Sequence, residues 1–349
     1  MAAFTAIDDA GAHYSTHLYT GNSSTNAITG VGFQPDFTWL KYRNGVSTQT
    51  VQSSVIGDNY LSPNGTDGET AAPNWDSFDS DGFTVSGVNS NYNASGYAYC
   101  SWNWKAGTTS GITTDGSTTI TPSSYTFNQT AGFSTINYTG NSINDGQTVP
   151  HRLGAIPSLI MIKQLDSASQ WSIYHKNLGN SKAMVLNTTA GSETDAGTGS
   201  YNYWYRTDPD SVNFTIGSSH YTNPSEALVA WCFTTIQGFS KFGMYESNSN
   251  ADGTFVYCGF RPAYILAKSS DGTSDWYMFD NKRLGFNDDN NSLLPNTTAA
   301  EGTTDRVNIL SNGFKFINSG APNNGNTSIF MAFAESPFVN SSGVPTNAR

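Results

Sequence analysis

Histidine, cysteine, carboxylate and aromatic side chains are where this sequence could do chemistry, and their spacing limits what that chemistry is. The five histidines, His13, His17, His151, His175 and His220, include no pair at zinc-protease spacing. Cys100, Cys232 and Cys258 are too scattered for a zinc cluster or a disulfide framework, and are expected as buried small hydrophobes. Calcium could find oxygen ligands at Asp76, Asp79 and Asp81, or along the run Asp288-Asp-Asn-Asn291. Both lack the alternating ligand pattern and closing Glu of a calcium loop, and Asp81-Gly82 reads as a strand turn. No metal or other cofactor is therefore expected, with calcium the ion that comes nearest.

Polysaccharide hydrolysis would need two carboxylates on facing strands. The six glutamates, Glu69, Glu193, Glu226, Glu246, Glu301 and Glu335, offer no two on one strand at a spacing of two. Asp208 and Asp210 have that spacing, but Asp-Pro-Asp reads as a turn. No nucleophile elbow, phosphate loop or dinucleotide fingerprint occurs in strand-to-helix context. No catalytic residue is assigned, and the chain reads as a non-enzyme. Binding has a better candidate in Tyr201-Asn-Tyr-Trp-Tyr205 followed by Arg206. On a strand, Tyr201, Tyr203 and Tyr205 would share one face, and with Trp204 and Arg206 could stack on a glycan or grip a protein partner. The competing reading is a cross-strand aromatic cluster that closes the fold.

The elements that must position these residues follow from composition. Of 349 residues only 12% are charged, 13% are aromatic and 34 are glycine. Coiled coils and helix bundles need far more Glu, Lys and Arg, so they are excluded. With 37% hydrophobic residues the chain can bury a core, which argues against disorder. The 16 basic and 27 acidic side chains leave a net charge of -11, which repels phosphate backbones and anionic lipid surfaces. Nucleic acid and membrane insertion are not expected. The start, MAAFTAIDDAGAHY, lacks a basic region followed by an apolar one, so assembly in a cytoplasm is the expectation.

Self-similarity is the strongest signal. Gly32, Pro35 and Lys41 recur at the same spacing as Gly154, Pro157 and Lys163, and as Gly259, Pro262 and Lys268. A tyrosine-led turn precedes each set, at Tyr19-Thr-Gly-Asn22, Tyr138-Thr-Gly-Asn141 and Tyr245-Glu-Ser-Asn248. Asn64, Asn187 and Asn296, each with Thr two residues on, follow each set. They match glycosylation sequons, but their recurrence points to side-chain bonding in a turn. Next come Ser80-Asp-Gly-Phe-Thr-Val85, Ser211-Val-Asn-Phe-Thr-Ile216 and Ser311-Asn-Gly-Phe-Lys-Phe316. An apolar run closes each set: Tyr97 to Trp102, Leu228 to Phe233 and Ile329 to Ala334. Trp171 and Trp276 stand eight residues after their lysines, where the first set has Gln49.

Short apolar runs opened by Pro and bounded by polar turns predict strands throughout, without a convincing helical period. The fold class is all-β: three tandem antiparallel β-sandwich repeats, jelly-roll or lectin-like, of about 105 residues each. The expected boundaries are 1–106, 130–237 and 238–338, with 107–129 a linker or inserted hairpin and 339–349 a tail. One short strand is expected at Thr119–Thr121. The three matching lysines are expected as an edge charge or as partners of a loop Asp.

Several tracts carry a family likeness. Gly238-Phe-Ser-Lys-Phe-Gly-Met-Tyr245, Phe255-Val-Tyr-Cys-Gly-Phe-Arg-Pro-Ala-Tyr264, Asp280-Asn-Lys-Arg283 and Phe333-Ala-Glu-Ser-Pro-Phe338 resemble a family common in marine tailed bacteriophages. His151-Arg-Leu-Gly154 and Trp171-Ser-Ile-Tyr-His175 are similar to its second signature. The resemblance implies a structural protein of the virion surface, a tail fibre or appendage or a capsid decoration. It implies other virion proteins as partners, many copies or a homo-oligomer on the particle, and a role in architecture and host attachment. A glycan-binding receptor module is the alternative, with a polysaccharide depolymerase behind it.

Overall fold

The computed structural model describes residues 4–112, 114, 116–195, 202–283, 287 and 290–346. Among them the regular elements are strands, with one short 3-10 turn at Ala10–Ala12 and no α-helix. The first nine strands are β1 (Tyr14–Thr20), β2 (Asn26–Thr29), β3 (Phe37–Tyr42), β4 (Thr50–Ser53), β5 (Asn59–Tyr60), β6 (Thr70–Ala71), β7 (Trp75–Asp79), β8 (Gly82–Val85) and β9 (Ala98–Trp104). Then come β10 (Ser124–Asn128), β11 (Phe133–Thr139), β12 (Gln147–Pro150), β13 (Leu159–Gln164), β14 (Ser172–His175), β15 (Lys182–Val185), β16 (Glu193–Thr194), β17 (Asn213–Ile216) and β18 (Ala227–Phe233). The last seven are β19 (Ser240–Glu246), β20 (Phe255–Tyr257), β21 (Phe260–Ser269), β22 (Tyr277–Asp280), β23 (Val307–Leu310), β24 (Gly313–Phe316) and β25 (Thr327–Pro337).

Every named pairing is antiparallel, and one strand order recurs. It is β1-β9-β3-β4 in the first segment, β11-β18-β13-β14 inside a seven-stranded sheet in the second, and β19-β25-β21-β22 in the third. A smaller sheet accompanies each: β2-β8-β7, β12-β17 and β20-β24-β23. The repeat lysines Lys41, Lys163 and Lys268 lie on β3, β13 and β21, which are interior strands rather than edges.

Alternation along the closing strands explains why they read as unbroken apolar runs. On β18, Leu228, Ala230 and Cys232 pack with Val149, Phe214 and Ile216 of the smaller sheet. Val229, Trp231 and Phe233 on the opposite face join a core shared by all three segments. On β9, Tyr99 faces Ile28 and Phe83 of its own small sheet, while Cys100, Trp102 and Trp104 face the shared core. At its centre Trp104, Phe233 and Phe333 touch pairwise, with ring centroids 6.3, 5.9 and 5.6 Å apart. Each ring comes from a different segment, so the core belongs to none of them alone.

The tyrosine-led turns are clamped in the same way three times. Tyr19, Tyr138 and Tyr245 donate their hydroxyls to the carbonyls of Tyr92, Thr222 and Pro322, at 2.7, 2.7 and 2.9 Å. The next residue in each case is a buried asparagine, Asn93, Asn223 or Asn323. Its side-chain oxygen accepts the amide of Asn22, Asn141 or Asn248.

Two expectations need correction. Pairing with the lysine strands matches Tyr99, Leu228 and Ser328, opposite Tyr42, Gln164 and Ser269. The apolar runs therefore align two residues later in the first segment, and one earlier in the third, than the sequence comparison placed them. A two-residue slip keeps every side chain on its face, so alternation cannot detect it. The insertion contributes a strand at Ser124–Asn128, not at Thr119–Thr121. Thr119 and Ile120 instead donate their amides to Thr148 O, and Ile120 is buried against the second segment's core. β10 covers the edge of β11, whose counterparts β1 and β19 end their sheets.

Two buried histidines have consequences for acid stability. His151 Nδ1 accepts the Leu153 amide while Nε2 faces Asp210 O at 3.1 Å. His175 Nδ1 accepts the Asn177 amide while Nε2 faces Phe330 O at 3.4 Å. Both imidazoles are thus neutral donors through Nε2. Burial pushes each down to about 4, against about 6.5 in an unfolded chain. Between those values the unfolded state holds the extra proton, so this contribution to stability is lost as pH falls from 6.5 towards 4. The slope is roughly 1.4 kcal/mol per pH unit for each histidine. Urea midpoints should fall over that range, and the fall should shrink in His175→Gln.

Candidate functional site

The tyrosine-rich stretch expected as a strand is a turn where the structure describes it, over residues 202–206. Tyr201 lies outside the described residues. Tyr205 and Arg206 have φ of 50° and 49°, in the left-handed region, which bends the chain out of any extended path. Tyr203 and Trp204 point inward, at 0% and 1% exposure. Tyr203 donates its hydroxyl to Glu193 at 2.7 Å, and Trp204 donates its indole N–H to Lys182 O at 3.1 Å. The Trp204 amide bonds Asp195 Oδ2 at 2.7 Å, and Arg206 caps Asp195 O at 3.1 Å. These residues close the second segment's core, so neither buried ring is free to stack on a ligand. Trp204→Ala should cost about 3–5 kcal/mol, the penalty of truncating a buried large aromatic, and urea unfolding measures it.

The calcium candidates are used inside the fold as well. Asp81 accepts the amides of Gly30 and Gly32 at 2.9 and 2.7 Å, Asp79 accepts the hydroxyls of Ser77 and Thr84, and Asp76 that of Ser86. Among the described residues no three His, Cys, Asp or Glu cluster as metal ligands. Asp288 and Asp289 lie outside the described residues. Cys100, Cys232 and Cys258 are buried and unpaired with one another, as expected.

The recurring residues converge at the junctions between segments. Lys163 Nζ, from the second segment, donates to Thr66 O of the first at 3.0 Å. Lys268, from the third, donates to Thr189 O of the second at 3.0 Å. Lys41, from the first, donates to Thr298 O of the third at 2.9 Å and so closes a ring. The same three carbonyls accept the amides of Ser169, Ser274 and Ser47, at 2.7, 2.9 and 3.0 Å. A second backbone bond accompanies each: Glu69 to Leu165 O, Ser192 to Ser270 O and Glu301 to Arg43 O.

A third contact clarifies the missing tryptophan. Trp171 and Trp276 donate their indole N–H across their junctions to Ser62 O and Val185 O, at 3.0 and 3.1 Å. At the third junction Gln49 Nε2 donates to Leu294 O at 2.6 Å, the matching carbonyl. A smaller amide there makes the same cross-junction bond. The sequon-like asparagines aim these residues: Asn64, Asn187 and Asn296 accept the amides of Gln49, Trp171 and Trp276 at 3.1, 3.1 and 3.0 Å.

The lysines are not edge charges and none makes an ion pair with an aspartate, although Asp67 and Asp275 act on Lys163 and Lys268 from farther off. All three are fully buried, and each has two carbonyl acceptors, the second being Ser47, Gln164 or Ser274 O. Burial pushes each ammonium down to about 8. A neutral amine keeps two N–H donors, so both bonds survive loss of the proton. Unfolded lysines titrate near 10.4, so above pH 8 the unfolded chain holds the extra protons and stability rises with pH. The lysine contribution should therefore rise from pH 7.5 to 9.5. The buried thiols of Cys100, Cys232 and Cys258, pushed up by burial, act in the opposite direction, so the contribution is read as the difference in urea midpoint between the protein and Lys163→Met across that range. Lys163→Met should flatten part of that rise and cost about 1–3 kcal/mol at pH 7.5.

Missed by the sequence reading are Asn93, Asn223 and Asn323, whose place after the polar-turn strands was the available signal, and an exposed aromatic pair. Phe255 and Tyr257 on β20 are 44% and 54% exposed. Lys241 Nζ stands 5.0 Å from the Tyr257 ring centroid and bonds Tyr257 O at 2.7 Å. The adjoining groove, about 380 Å³, also takes in Phe4, Gln237 and Gly259. No helix among the described residues is long and apolar enough to cross a membrane.

No curated protein and no solved structure matches the chain. One family model does, over residues 9–337, which takes in all three segments and every junction contact between them. The chain belongs to that family, described as Domain of unknown function (DUF7483).

Proposed function

We propose that this protein is an architectural component of a bacteriophage virion surface, a tail fibre or appendage or a capsid decoration. On this reading it is three tandem antiparallel β-sandwich repeats locked into one rigid body, and it works by holding shape among many neighbours on the particle. The carrying observation is the ring of lysine contacts, in which the recurring ionisable side chains are spent on joining segments. The buried lysines Lys41, Lys163 and Lys268, the histidines His151 and His175, and Trp171, Trp204 and Trp276 take backbone carbonyls as partners, which is structural use of groups that an active site would leave facing a cleft. The likeness of the tracts at Gly238–Tyr245 and Phe255–Tyr264 to phage proteins supplies the biological setting. A surface poor in charge suits packing against neighbours without long-range repulsion.

Host attachment, where the protein contributes to it, belongs to exposed residues, and Tyr257 with Phe255 replaces the buried Tyr203 and Trp204 as the surface to test. Reconstruction of the particle provides the experiment. Density for the three-segment body on the head, neck or tail surface is the expected result. Absence of the chain from purified particles would overturn the proposal. Release of reducing ends from host polysaccharide by the purified protein would overturn the non-enzymatic reading.

A further inference from the structure

We propose that the junction between the third and first segments is a seam, the place where the ring opens while the other two junctions stay closed. The chain runs from the first segment to the second and from the second to the third. Only residues 234–239 separate β18 from β19, which holds the second and third segments together. Between the first and second, the insertion is pinned by β10 on β11 and by paired backbone bonds between Thr108 and Phe127. The third and first segments meet with no such direct connection, so separating them releases the most chain freedom.

Chemistry at this junction differs from the other two. Arg43 of the first segment pairs with Glu301 of the third at 2.8 Å, and Arg283 bridges Glu301 at 3.3 Å and Asp280 at 2.6 Å. Asp280 also accepts the indole N–H of Trp102 across the junction at 3.1 Å. The residues matching Asp280 are Ser53 and His175. Those matching Glu301 are Glu69 and Ser192, and those matching Arg43 are Leu165 and Ser270. None of these positions carries an ion pair across its junction among the described residues.

Buried ion pairs give back less on closing than apolar contacts, because each charge is stripped of water to form them. When the junction opens, water returns to Arg43, Arg283, Asp280 and Glu301. At the other two, opening exposes the apolar Leu165 to water or breaks the hydrogen bond between His175 and Phe330 O. The N-terminal strap bonds outside the third segment: the Ala6 amide donates to Gln237 O at 3.1 Å, at the end of the second segment, and Asp8 accepts the Ser341 amide at 2.7 Å, from the C-terminal tail. Local opening of this kind is the ordinary behaviour of the least stable cooperative contact in a fold.

The repeat supplies its own controls, because six matched amides report the three junctions: Ser47 and Glu301 at the seam, Ser169 and Glu69 between the first and second segments, Ser274 and Ser192 between the second and third. Hydrogen exchange of the full chain at pH 7, resolved to these amides, is the test. Protection factors for Ser47 and Glu301 should be lower than those of the other four by at least threefold, and Glu301→Gln should widen the gap about tenfold. A gap below threefold in the unaltered protein, or earliest exchange at Ser169 or Ser274, would overturn the seam. The unaltered protein decides the matter even where the variant fails to fold.

Discussion

A lysine ammonium buried between two segments must find acceptors in the place where it is buried, and in this fold the acceptor is a carbonyl of the neighbouring segment. That constraint organises the molecule. Thr66, Thr189 and Thr298 can accept only if their loops are held in place, and Asn64, Asn187 and Asn296 hold them by accepting the amides of Gln49, Trp171 and Trp276, each one residue ahead of β4, β14 or β22. Those side chains cross the same segment's other junction, beside that segment's own lysine, so each asparagine couples two junctions. Removing the neighbour would strip the lysine, an amide or indole donor and two backbone groups of these partners and expose the apolar face beside them to water. Each segment is thereby bound to the presence of the next, and the last to the first.

The central aromatic core follows from the same closure. Strands β9, β18 and β25 are buried on both faces because one face meets a local sheet while the other meets the remaining two segments, and on β9 the local face also carries Ser101 and Asn103. A free sandwich would need polar residues on that second face. Trp104, Phe233 and Phe333 meet where three such faces converge. The family model that spans residues 9–337 treats the same stretch as one domain, which fits a body whose parts share a core.

Much of this was legible in the residues. The Gly-Pro-Lys spacing marked three equivalent strands, and the all-β character followed from short apolar runs with polar turns. What the lysines bond was hidden, because a cation on a strand looks alike whether it faces water or a carbonyl of a distant loop. Register of the first closing strand was hidden too, since its slip of two preserves alternation, whereas the slip of one in the third reverses the faces. The tyrosine-rich stretch misled for a physical reason: Tyr203 and Trp204 have the composition of a binding surface, and only the left-handed turn at Tyr205 and Arg206 directs them inward. Gln49 appeared as a gap in the pattern because its ring is missing, although its amide makes the matching bond.

The central claim is that three similar segments form one cooperative body rather than beads on a string. Equilibrium urea unfolding followed by both far-ultraviolet circular dichroism and tryptophan fluorescence tests it most directly. Coincident curves with one transition are predicted, because Trp39, Trp102, Trp104, Trp171, Trp231 and Trp276 lie in a core shared by all three segments. Two or three separate transitions, or fluorescence and circular dichroism curves with different midpoints, would contradict it.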